Sequence, residues 1–146
     1  MLDTPLFTCS VRNQSVARTS CGSDRRYSRL YKACEYAEVN FDEQLTLERM
    51  AMIAGYEKSY MSRLFKNQFG VGLFEWLREL RIYHASRLLR DSTLSISEIA
   101  YSVGFSDLST FERNFRLSQG ITPRDFRRNH GLSSFTGSRT AEYFVV

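Results

Sequence analysis

From Arg25 onward, apolar residues recur along the chain at helical spacing. Leu30, Ala33, Cys34, Ala37 and Phe41 mark an amphipathic helix from about Arg26 to Asn40. Thr46 is placed to cap a short helix whose inner face is Leu47, Met50, Ala51 and Ala54. Gly55 follows its last periodic residue, where a left-handed backbone is easiest without a Cβ. The next helix runs from about Lys58 to Phe69, with Met61, Leu64, Phe65 and Gln68 on one flank and Gly70 at its end. Residues 73–91 form the longest periodic stretch, free of Gly and Pro, with Leu73, Trp76, Leu77, Leu80, Ala85, Leu88 and Leu89 as candidate core. Ser95 and Glu98 then have the spacing of a capping box, in which each side chain satisfies the other residue's backbone N–H. Ile96, Ile99, Ala100 and Val103 face inward and Gly104 ends that helix. Asp107 can cap the next, which runs to about Gln119 with Leu108, Phe111 and Phe115 inward. Thr122 and Pro123 supply an N-cap and a first-turn proline for a last helix through Phe126 to about Asn129.

These helices contain a duplication. Leu45 to Tyr56 returns forty-nine residues later as Leu94 to Phe105. After one inserted residue, Ser59, Arg63, Phe65 and Gly70 fall opposite Ser109, Arg113, Phe115 and Gly120. Self-similarity of this length marks two copies of one supersecondary unit. Each copy reads as a short helix, a glycine turn and a second helix carrying an arginine, the pattern of a helix-turn-helix. The expected architecture is therefore all-α, with about seven helices. Two helix-turn-helix subdomains, residues 26–91 and 92–130, are joined by the long central helix. At 1.5 Å per residue that helix spans roughly 27 Å, stiff enough to hold the repeats at a set separation. Residues 1–25 are polar and lack any period, so they read as a flexible arm, and residues 131–146 as a tail.

The charge balance permits nucleic acid as a partner without demonstrating it, since a solvated basic surface carries the same surplus. The chain carries a net +4. Residues 1–44 hold six basic and six acidic residues, and residues 131–146 one of each, so the surplus of thirteen over nine lies in the repeated region. No apolar run approaches the ~18 residues of a membrane helix, and the N-terminus lacks a basic-led apolar signal segment. Cys9, Cys21 and Cys34 have neither a disulfide framework's even count nor a metal pair's spacing. A reducing, cytoplasmic setting follows, with no cofactor, no metal and no membrane partner expected. Cys34 falls on an apolar stripe and reads as a buried structural thiol. His84 and His130 belong to no catalytic or zinc pattern, and no Gly-rich phosphate loop occurs, so no enzyme activity is expected.

In a helix-turn-helix the second helix enters the major groove, and its outer face at i, i+3 and i+4 reaches base edges. In the first repeat that face offers Ser59, Ser62, Arg63 and Lys66, with Lys58 at the helix entrance. Arg63 suits bidentate contact with guanine, while Lys58 and Lys66 suit phosphates. The second repeat offers Ser109, Thr110, Glu112, Arg113 and Arg116, and with Asp107 its formal charge is zero. Glu112 would repel phosphate. It could accept from cytosine, or support its neighbours, for example by pairing with Arg113. The neutral face also motivates another class of function, a module that binds a second regulator or RNA polymerase without reading DNA itself.

The stretch Ser95-Ile96-Ser97-Glu98-Ile99-Ala100-Tyr101-Ser102-Val103-Gly104-Phe105-Ser106-Asp107, followed by Phe111, Arg113, Phe115, Gly120 and Thr122-Pro123, resembles the signature of the AraC/XylS family of transcription regulators. Leu45 through Gly55 and Ser62-Arg63-Leu64-Phe65-Lys66 are similar to that family's first helix-turn-helix, and Arg81 to Leu89 to its connecting helix. The resemblance covers roughly residues 27–130. It implies a seven-helix DNA-binding domain whose two recognition helices enter successive major grooves of double-stranded promoter DNA. It also implies contact with RNA polymerase, as an activator. The arm is too short for the effector or dimerisation domain that many members carry. The chain therefore resembles stand-alone, monomeric members, or a fragment of a longer regulator. Glu112 departs from the small polar residue more usual in the family.

Overall fold

The computed structural model describes residues 23–131, all of whose regular structure is helical. The helices are α1 (Ser23–Val39), α2 (Leu47–Ala54), α3 (Lys58–Phe69), α4 (Leu73–Asp91), α5 (Ile96–Ser102), α6 (Leu108–Gln119) and α7 (Pro123–His130). The expected arm and tail, including Cys9 and Cys21, lie outside the described residues apart from the arm's last three and Gly131. The chain divides into two compact units between Tyr83 and His84, inside α4. The sequence places its boundary after Asp91, at the end of that helix.

In the first unit, α1 packs on α2 and α2 on α3. Leu30, Ala33, Cys34 and Ala37, one stripe of α1, are fully buried, and Phe41 is half-buried against them. They meet Met50, Ala51 and Ala54 of α2, Met61 and Phe65 of α3, and Leu73, Trp76, Leu77 and Leu80 of α4 in one core. Aromatic edges organise it. Phe65 lies 5.6 Å from Trp76 and 4.5 Å from Phe69, and Tyr31 meets Phe69 edge-on at 6.3 Å. Around this core, polar contacts tie α1 and its outgoing loop down. The Gln68 amide donates to the Tyr31 hydroxyl at 3.1 Å, and the Tyr56 hydroxyl donates to the Arg26 carbonyl at 3.0 Å. Arg81 donates to the carbonyls of Phe41 and Glu43 at 2.7 and 2.8 Å.

The second unit repeats the scheme with fewer parts. Its α5 packs on α6 and α6 on α7. Ile99, Ala100 and Val103 are buried beneath a ladder of rings in which Phe105, Phe111, Phe115 and Phe126 follow at 5.3, 5.7 and 5.4 Å. Both helix-turn-helix corners use a glycine in the left-handed region, Gly55 at φ 69° and Gly104 at φ 93°. At each corner the chain must reverse within a residue or two, and a side chain would strain that backbone.

The capping expectations are met. Thr46 accepts from Arg49 N–H, the Ser95–Glu98 box closes both ways, Asp107 accepts from Thr110 N–H, and Thr122 accepts from Asp125 N–H. Four inward placements need correction. Leu47, Leu88, Ile96 and Leu108, all expected inward, are only half-buried. Ile96 and Leu108 stand at the first turn of their helices on the rim of a surface groove.

Candidate nucleic-acid interface

The two helices that follow the glycine corners are built alike. In α3, Met61 and Phe65 point into the core, which turns Ser59, Ser62, Arg63 and Lys66 outward, all exposed, with Lys58 exposed at the entrance. In α6, Phe111 and Phe115 do the same for Ser109, Glu112, Arg113 and Arg116. Thr110 is half-buried. Its N–H donates to Asp107 and its carbonyl accepts from Asn114, so less of it faces solvent than of its neighbours Ser109 and Glu112. Each helix thus displays an arginine, Arg63 or Arg113, on the side away from its core.

Two electrostatic features of the first helix were not read from the sequence. Glu57 is its N-cap and accepts from Ser59 N–H at 3.0 Å and Tyr60 N–H at 3.1 Å. Glutamate is not among the preferred N-cap residues, so capping preference gives no signal there. Lys58 bonds to Glu48 at the start of α2, a contact between two exposed side chains across the corner. Counting Glu57 against Lys58, Arg63 and Lys66, the first helix is less cationic than its sequence alone suggests, and Lys58 is shared with an acid. The contrast with the neutral second helix narrows.

The N-cap carboxylates mirror one another. Bonds from the Ser59 and Tyr60 backbone, with Arg63 adding attraction, hold the Glu57 carboxyl below its ordinary value. Bonds from the Thr110 backbone and side chain, with Arg113 adding attraction, do the same for Asp107. Each of these outward arginines is therefore in electrostatic reach of its own helix's cap. Glu112 makes no ion pair among the described residues. Consecutive helix residues such as Glu112 and Arg113 do not face each other, so the expected support of Arg113 by its neighbour is absent.

The depressed carboxyls carry a pH consequence. A group whose folded pKa lies below its unfolded value contributes stability above the unfolded value and loses it as pH falls through the folded one. Acid titration followed by circular dichroism should therefore weaken the second unit from about pH 4 downward. Asp107→Asn keeps a capping oxygen without a titrating charge, so this variant should lose less stability over that range. An unchanged acid slope in the variant would remove Asp107 as a cause.

Leu108 and Glu112 also line a groove of about 490 Å³ with Ile96, Ser97, Arg124 and Arg127. Among the described residues no cluster of His, Cys, Asp or Glu is arranged to hold a metal ion. No described helix is long and apolar enough to cross a membrane.

Residues 50–129 match a family described as a helix-turn-helix domain. GlxA, an HTH-type transcriptional regulator of Rhizobium meliloti, is 38% identical over 102 residues, 70% of this chain and 32% of that protein. The chain thus spans about a third of that relative's length. An AraC-type DNA-binding-domain regulator from Chromobacterium violaceum superposes with a TM-score of 0.68 at 30% identity, covering 77% of this chain and 98% of that one. The DNA-binding domain of the global transcriptional factor AdpA, solved with a target DNA, gives 0.70 at 27% identity over 75% and 98% of the two chains. With its duplicated corners, outward arginines and this match over more than half its length, the chain belongs to the AraC/XylS family of transcription regulators and carries that family's DNA-binding domain.

Proposed function

We propose that this chain binds promoter DNA through α3 and α6, one in each of two successive major grooves on the same face of the duplex. The observation that carries the reading is the equivalent outward placement of Arg63 and Arg113, each on a helix anchored by two buried aromatic or thioether side chains. Successive grooves lie ~34 Å apart, and α4, at 1.5 Å per residue, is roughly 28 Å long, a length of that order. In this reading Arg63 and Arg113 contact base edges, Ser59, Ser62, Ser109 and Thr110 make shorter polar contacts, and Lys58, Lys66 and Arg116 meet phosphates. The subdomains run over residues 26–91 and 92–130. One copy of the chain suffices, because both readers are in it. The protein acts in the cytoplasm as an activator that also touches RNA polymerase.

Selecting bound sequences from a random duplex pool tests this. The expected result is two half-sites about 10 base pairs apart, centre to centre. A single half-site would leave α6 without a reading role. That outcome would favour the second reading, in which the neutral second unit docks on another regulator or on polymerase.

A further inference from the structure

The groove in the second unit has walls of unlike chemistry. Ile96 and Leu108 are apolar, Ser97 brings a hydroxyl, Arg124 and Arg127 bring positive charge, and Glu112 stands among them. Arg127 is the unusual member. Its Nε and Nη2 are buried and have no hydrogen-bond partner among the described residues. Nearly all buried polar groups in folded proteins are satisfied, and a charged donor left without an acceptor is the costliest exception. The Arg127 guanidinium is planar and always charged, with donors in a fork that matches an oxyanion. Glu112 lines the same groove yet makes no ion pair among the described residues, so the acid at hand does not satisfy the fork.

We infer that this groove seats a DNA backbone phosphate on Arg127, and that Glu112 limits how tightly it is held rather than reading a base. The inference rests on the DNA-binding reading above. Leu108 and Glu112 belong to α6, the helix assigned to the second major groove, so the anion site is continuous with the proposed interface. A phosphate brings oxygens for the guanidinium fork, and the sugar attached to it can lie on Ile96 and Leu108. A volume of about 490 Å³ holds such a sugar–phosphate unit with room left over. Arg124, exposed on the first turn of α7, adds attraction without burial. Glu112 opposes it, so the site holds a phosphate less tightly than two arginines alone would.

Affinity measured against salt for matched and scrambled duplexes separates the possibilities. Arg127→Gln should weaken every sequence alike and reduce the log–log salt slope by about 0.9, one phosphate's share. Arg127→Lys keeps the charge and should retain the slope while binding less tightly. Glu112→Gln should tighten all duplexes several-fold without changing their ranking. An unchanged slope in Arg127→Gln, or unchanged affinity in Glu112→Gln, would overturn the proposal, as would a changed base preference in Glu112→Gln. Were Arg127→Gln to melt early by circular dichroism, the exposed Glu112→Gln would decide alone: uniform tightening supports the site and no change removes it. An acidic segment of a partner protein as the true occupant would leave both DNA slopes at the wild-type value and so refute the phosphate. Failure of the broader reading would look different, since the unaltered chain would then bind duplexes without a salt slope or a preferred sequence.

Discussion

Trp76→Ala should unfold the first unit at ordinary temperatures. The side chain has no exposed surface and sits where α3 and α4 meet, 5.6 Å from Phe65 and 6.2 Å from Phe69. Truncating a fully buried Trp costs about 3–5 kcal/mol, because the lost transfer energy is joined by a cavity that neighbours only partly fill. A small unit has little in reserve, since domains are stable by only ~5–15 kcal/mol and the smallest bury the least of their surface. Trp76→Phe offers the informative contrast. The indole Nε1 is buried without a hydrogen-bond partner among the described residues, so phenylalanine removes an unsatisfied donor along with the lost volume. It should cost clearly less than alanine. Circular dichroism melts of both variants would check this, and because the wild-type chain has a single Trp, its fluorescence reports the first unit alone. A wild-type melting profile for Trp76→Ala would mean that the ring cluster does not hold the core.

Much of this core was legible from periodicity. The stripes on α1, α2, α3 and α6 face one way only, so a 3.6-residue period finds them. Thus Leu30, Ala33, Cys34, Met61, Phe65, Phe111 and Phe115, all expected inside, are buried. Along α4 a single period is not enough. Ile82 has no exposed surface and was not among the candidate core, while Leu88, which was, is half-buried. This helix is covered on more than one side: Leu80, Ile82 and Ala85 are all buried, and no single stripe contains them. Phe105 escaped for another reason. It follows the glycine corner outside any helix, where periodicity says nothing, and its ring meets Phe111 edge-on.

The candidate interface divides in the same way. Which residues face outward follows from which face inward, so Ser59, Ser62, Arg63, Lys66, Ser109, Arg113 and Arg116 emerged from spacing alone. The electrostatics of that surface depend on contacts across the corner and between helices. Glu48 lies ten positions before Lys58 and meets it only because the corner folds α2 back beside α3. Arg124 and Arg127 come beside Glu112 only once α7 has docked on α6. No local pattern carries that information.

Arg63→Ala should flatten the sequence preference of the first half-site while leaving much of the affinity. A bidentate arginine–guanine contact gives ~1–3 kcal/mol of discrimination, roughly five- to 150-fold between matched and mismatched duplexes. Arg63 is exposed, and Glu57, six positions before it, lies in electrostatic reach without forming an ion pair with it. Lys66 lies further along the same face and should act on phosphates. Lys66→Ala should therefore weaken all duplexes together and lower the salt slope by about one. Lys58→Ala should do less, because the Lys58 ammonium is already shared with Glu48. The pairing also gives a check in the opposite sense: Glu48→Gln frees Lys58 and should tighten binding non-specifically, most visibly at low salt. Competition gel shifts with single-base variants of the selected site would measure all four. If Arg63→Ala kept the wild-type ranking of those variants, base reading by α3 would have to pass to other side chains. If Lys66→Ala changed the ranking, the division between phosphate and base contacts on this face would be wrong.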